Sequence, residues 1–76
     1  MFKYTVYKNA DNKKFKEVCE NIKKSIPNLK VDEPLIDVDG SVIQKYTNAE
    51  GCINVYNDYE VDAVYIDSEI NLEGLL

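Results

Sequence analysis

No histidine, tryptophan or arginine occurs in this 76-residue chain. The first absence removes the commonest general base and the commonest metal ligand. The last removes the planar fork that grips phosphate in two places, and leaves lysine as the sole cationic side chain. Two cysteines, Cys19 and Cys52, are too few for a disulfide-stapled scaffold, and neither belongs to a C-x-x-C pair. Both are expected as reduced thiols, and a bridge between them needs the fold to bring them within reach. The three glycines stand alone at 40, 51 and 74, so there is no glycine-rich phosphate loop. No apolar run approaches the ~20 residues of a membrane helix. The opening "MFKYTVYK" alternates, where a secretory signal carries a basic start and a long apolar block. These absences lead us to expect a cytoplasmic protein that uses no cofactor and no metal and does not engage a membrane.

What remains is ordinary for a folded chain. Apolar residues make up 45% and charged residues 30%, so a single domain over 1–76 is expected rather than disorder. At this size only about 60% of the unfolded surface is buried on folding, which keeps the margin of stability thin.

The charge is divided along the chain. Residues 1–30 carry eight lysines against three acids, a net +5, whereas residues 31–76 carry Lys45 against eleven acids, a net −10. Such asymmetry speaks to association and solubility, not to fold.

Residues 2–8, "FKYTVYK", alternate Phe2, Tyr4 and Val6 with Lys3, Thr5 and Tyr7, the period of a strand. Asn9 and Asp11 are candidate caps for a helix over about 11–26, whose apolar stripe is Phe15, Val18, Cys19, Ile22 and Ile26. Lys16–Glu20 and Glu20–Lys24 are four apart and able to pair. Pro27 ends the helix. In "PLIDVDGSVIQKY" the Asp39-Gly40 pair predicts a two-residue type I′ hairpin, which sets Ile36 opposite Ile43 and Val38 opposite Ser41. Gly51 marks the next turn, and "CINVY" is a strand with Ile53 and Val55 on one side, Asn54 and Tyr56 on the other. A three-residue loop at 57–59 aligns Val61 with Val55 and keeps apolar residues together in the last strand, "EVDAVYIDS". The apolar tail "INLEGLL" is open to docking on the sheet edge, forming a helical turn or meeting a partner. The expected fold is α+β and two-layered: one helix packed on a mostly antiparallel sheet, in the order β-α-β-β-β-β. The strands flanking the helix have the option of pairing in parallel.

Familiar catalytic and metal motifs are absent. "DVDG" at 37–40 fails as a calcium loop, because with Gly40 as the turn glycine the first and last ligand positions fall on Leu35 and Tyr46. Carboxylate pairs such as Asp37/Asp39 or Glu60/Asp62 serve acid–base chemistry only inside a pocket that separates their pKa values. A two-layer domain of this length has little depth for one, so no enzyme and no catalytic residue are expected. Direct nucleic-acid binding is disfavoured by net negative charge and the lack of arginine.

The acids of the second half are the distinctive feature. Placed on strands, Glu60 and Asp62 would form one row of carboxylates and Asp37, with Asp39, would begin another. Asp58, Asp67 and Glu69 would extend the field. Tyr46, Tyr56, Tyr59 and Tyr65 supply aromatic contact in the same half. The plain interpretation is a solvated sheet face that keeps the protein soluble and guards its edges. The functional one is an imitation of a nucleic-acid backbone, with Asp37, Asp58, Tyr59, Glu60, Asp62 and Asp67 occupying the basic nucleic-acid-binding site of a larger protein. In size and charge the chain resembles the small acidic inhibitors that phages and mobile elements direct at host nucleases, anti-CRISPR and anti-restriction proteins among them. That resemblance implies a stoichiometric inhibitor acting as monomer or homodimer. The alternative is an adaptor or subunit that docks by apolar contacts through its tail or a sheet edge.

Overall fold

The computed structural model describes residues 1–75. In chain order the elements are β1 (Phe2–Tyr7), α1 (Asn12–Ser25), β2 (Lys30–Val31), β3 (Leu35–Ile36), β4 (Val42–Asn48), β5 (Gly51–Asp58) and β6 (Ala63–Ser68). One helix packs on one face of a six-stranded antiparallel sheet, the α+β architecture and element order read from the sequence, with the two-residue β2 as a short addition.

The helix begins and ends for local reasons. Asp11 is its N-cap, extended in backbone, and its carboxylate accepts from the Lys14 amide at 3.1 Å. Pro27 follows the C-cap Ile26, whose N–H donates to Ile22 O at 3.1 Å. Lys23 and Lys24 occupy the last turn, where positive charge complements the helix dipole. The Lys16–Glu20 and Glu20–Lys24 pairs do not form. Among the described residues the salt bridge present is Lys14–Glu17, at 3.6 Å, and water competes successfully for such exposed ions.

Spatially the strands run β1-β6-β5-β4-β2, with β3 also on β4. The two strands that flank the helix therefore lie at opposite edges and do not pair in parallel; β1 pairs antiparallel with β6. Five strands span about 19 Å from edge to edge. The 14-residue helix is about 21 Å long, so it suffices to carry the chain across the sheet. Val18, Ile22 and Ile26 descend from it onto Tyr46, Ile53, Val55, Val64 and Ile66. Leu72 is fully buried in the same core. The tail folds back on its own domain: the Leu72 amide donates to the Tyr4 hydroxyl at 2.9 Å, and the Ser68 hydroxyl bonds both the N–H and the C=O of Ile70. Leu76, the end of "INLEGLL", lies outside the described residues. Cys19 and Cys52 are free thiols on opposite sides of the sheet, because Cys52 alternates with the core residue Ile53.

Two registers differ from expectation. In the first hairpin Leu35 stands opposite Ile43 and Ile36 opposite Val42, with Asp37 N–H donating to Ser41 O at 2.8 Å. The loop is thus three residues, 38–40, not two. Gly40 alone adopts positive φ, +89°, and its amide donates to Asp37 O at 3.0 Å. A type I′ turn demands positive φ at Asp39 as well. Asp39 instead uses its carboxylate to accept from the Ser41 amide at 2.9 Å. The one-residue slip reverses which side chains share a face.

In the second case Asp58 and Ala63 close a four-residue loop over 59–62, and Val55 faces Ile66 rather than Val61. The Asp58 carboxylate accepts from the amides of Glu60, at 2.9 Å, and Val61, at 3.1 Å, which shapes the turn. Asn57 remains in β5, fully buried on the helix side. Its Oδ1 accepts from Asp11 N–H at 2.9 Å and its Nδ2 donates to Asn12 Oδ1 at 2.8 Å, tying the sheet to the helix start.

Candidate functional site

The register builds a continuous row on the sheet face away from the helix. Thr5, Tyr65, Tyr56, Ile43 and Leu35 are successive cross-strand partners over β1, β6, β5, β4 and β3. At its centre the rings of Tyr56 and Tyr65 stack, with centroids 4.5 Å apart and planes 9° from parallel.

Beside this stack lies a cleft of about 320 Å³. Tyr56, Tyr65, Ile43, Leu35 and Ile36 are among its lining residues, with Asp37, Asp39, Asp58 and Glu60 as its acidic lips. The carboxylates come from two loops far apart in sequence. Those loops are joined where the Tyr59 amide donates to Ser41 Oγ at 2.9 Å. Leu35, Ile36 and Val38 on the first hairpin are 68%, 72% and 104% exposed, an apolar edge beside the acidic lips.

The carboxylates are held in different ways. Asp58 shapes its own turn and also accepts from the Tyr65 hydroxyl at 3.1 Å. Burial first, and then the bond and charge of Asp58, push the Tyr65 phenol up to about 12. Asp37 accepts from the Val38 amide at 2.7 Å. The Ser41 amide holds the Asp39 carboxyl below its ordinary range, so Asp39 supplies fixed charge rather than a proton.

Of the six residues singled out from sequence, Asp37, Asp58 and Glu60 line the cleft, whereas Tyr59 is not among its lining residues and has its ring beside Gly40. Asp62 does not join them. It has φ +60° and accepts from the Ala10 amide at 2.9 Å, anchoring the chain ahead of α1. The expected Glu60/Asp62 row fails because both belong to a loop, where strand alternation does not apply. Asp67 lies on the same face but in the next row, where Lys3 is its partner on β1 and Asn54 separates it from Lys45. The carboxylates thus gather at one end of the face; they do not tile it. Tyr46 is a core residue, with a phenol raised by burial and by its contact with Cys19. Tyr56 and Tyr65 are visible in sequence as tyrosines of the acidic half, but Leu35, Ile36 and Ile43 leave no signal there, because their place depends on hairpin register.

Among the described residues no group of three or more histidine, cysteine, aspartate or glutamate side chains is placed to hold a metal ion. No described helix is long and apolar enough to cross a membrane. No protein-family model matches the chain, and the searches of curated proteins and of solved structures likewise returned no match.

Proposed function

We propose that this is a non-enzymatic binding protein that presents the acid-lipped end of its sheet to the basic nucleic-acid-binding site of a larger protein and blocks it stoichiometrically. The observation that carries the reading is the convergence of Asp37, Asp39, Asp58 and Glu60 around one aromatic cleft whose lining contains no lysine. Concentrated negative charge steers a cationic partner and speeds encounter. The tyrosines and the exposed Leu35, Ile36 and Val38 add apolar contact, which supplies affinity that charge alone does not.

The test is capture from a bacterial lysate on the immobilised chain at low salt, identification of the retained protein, and a gel-shift competition. Support consists of a nucleic-acid-binding protein that elutes as ionic strength rises and whose DNA or RNA is displaced by this chain. Retention of a protein that keeps its nucleic acid bound defeats the proposal.

The adaptor alternative has one observation in its favour, the apolar exposure of Leu35 and Ile36 on the short outer strand β3. Capture that persists unchanged in high salt would favour it.

A further inference from the structure

The cleft has a more specific shape than a patch of charge. Tyr65, on β6, covers one face of the Tyr56 ring, so the opposite face looks toward β4 and the cleft. On that side come first Ile43, the cross-strand partner of Tyr56, and one strand further Leu35, both apolar, and Asp39 and Glu60 line the same cleft. A flat aromatic face, apolar side chains beside it and carboxylate acceptors in the same lining are three distinct demands on an occupant. An arginine side chain meets all three. Its planar guanidinium stacks on an aromatic face, its methylene stem packs against aliphatic groups, and its donors spread toward carboxylates. A nucleotide meets one of them and brings a phosphate into a cavity lined by four acids.

We propose that this cleft receives one arginine side chain of the partner protein, with the guanidinium on the open face of Tyr56 and hydrogen-bonded to Glu60 and Asp39. The inference rests on the reading above and makes it sharper: the interface is anchored at one pocket, and charge elsewhere on the protein serves encounter. Glu60 is exposed and its carboxylate makes no hydrogen bond among the described residues, which leaves it available to a ligand.

The experiment is a titration of the ¹⁵N-labelled chain with three short capped peptides, identical except for a central arginine, lysine or citrulline. The arginine peptide should produce saturable shifts confined to the amides of residues 39–43, 56–60 and 65. The lysine peptide should bind several-fold more weakly, and the neutral citrulline peptide should leave the spectrum unchanged. Glu60→Gln and Tyr56→Leu should each weaken the arginine peptide by about fivefold, the scale of one exposed ion pair for the first and of one exposed cation–π contact for the second. Unchanged shifts at residues remote from the cleft show that each variant keeps its fold.

Shifts spread over Asp32, Glu33, Asp67 and Glu73, and equal for arginine and lysine, would mean simple counter-ion attraction and would overturn the pocket. The same holds if no shift occurs. Either result leaves the lysate and displacement test to decide the broader reading. Conversely, an arginine pocket in a chain that displaces no nucleic acid would sink the broader reading alone.

Discussion

The Tyr59 amide donates to Ser41 Oγ at 2.9 Å, and this bond joins two acidic loops that lie on different hairpins. The loops carry Asp37 and Asp39 on one side, Asp58 and Glu60 on the other. The Ser41 bond helps hold the two loops side by side. Ser41→Ala should lower stability by about 1 kcal/mol, the net worth of one hydrogen bond. For a domain of this size that is a fall of roughly 4–8 °C in Tm, read by circular dichroism. An unchanged Tm would show that the loops are positioned by their own turns.

Tyr65 gives the site a signature in alkali. Its phenol is pushed up to about 12 by burial and by Asp58, against about 10 in the unfolded chain. The neutral form is therefore favoured by folding. This contribution to stability is fully present below about pH 10 and is lost as pH rises toward 12. Tyrosinate absorbance should show Tyr65 ionising later than a tyrosine in an unfolded peptide. Asp58→Asn should bring that ionisation back toward the ordinary value, since it removes the charge beside the phenol.

Glu60 and Asp62 should separate cleanly, although the sequence presents them as a pair. Glu60→Lys should reduce partner capture at least tenfold and leave thermal stability within about 0.5 kcal/mol, as for an ordinary surface change. Asp62→Ala should leave capture intact and cost about 1 kcal/mol, because the Ala10 amide loses its acceptor. Equal effects of the two changes on capture would restore the carboxylate row that the structure does not contain.

Leu72 determines what deletion of the tail means. It is completely buried, and Leu72→Ala should cost about 2–5 kcal/mol in chemical denaturation. Whole domains hold only about 5–15 kcal/mol in reserve. Removing residues 70–76 should therefore unfold much of the population and abolish partner binding indirectly. The single change Leu75→Ser, at an exposed position, probes tail docking without that complication. Partner binding that survives Leu75→Ser speaks against the tail as the docking element.

Much of the fold was legible because its signals are local. Asp11 and Pro27 bracket the helix within a residue or two, the 15-18-22-26 stripe gives the face that packs, and the alternation in "CINVY" separates core from solvent correctly. The site was legible only in part. Asp37, Asp58 and Glu60 stand out as acids of a lysine-poor half, yet nothing local distinguishes Glu60, which faces the cleft, from Asp62, which ties down the chain before α1.

Composition and periodicity by themselves determined the two-layer class, the helix, the unequal division of charge and the absence of histidine-based chemistry, because each follows from residue type and near-neighbour spacing. Tertiary structure alone decided which acids meet. The length and position of each hairpin loop set the face of every side chain on the strands it joins, and that choice was made by Gly40, by the Asp58 turn and by the bonds of Asn57 to the distant helix start.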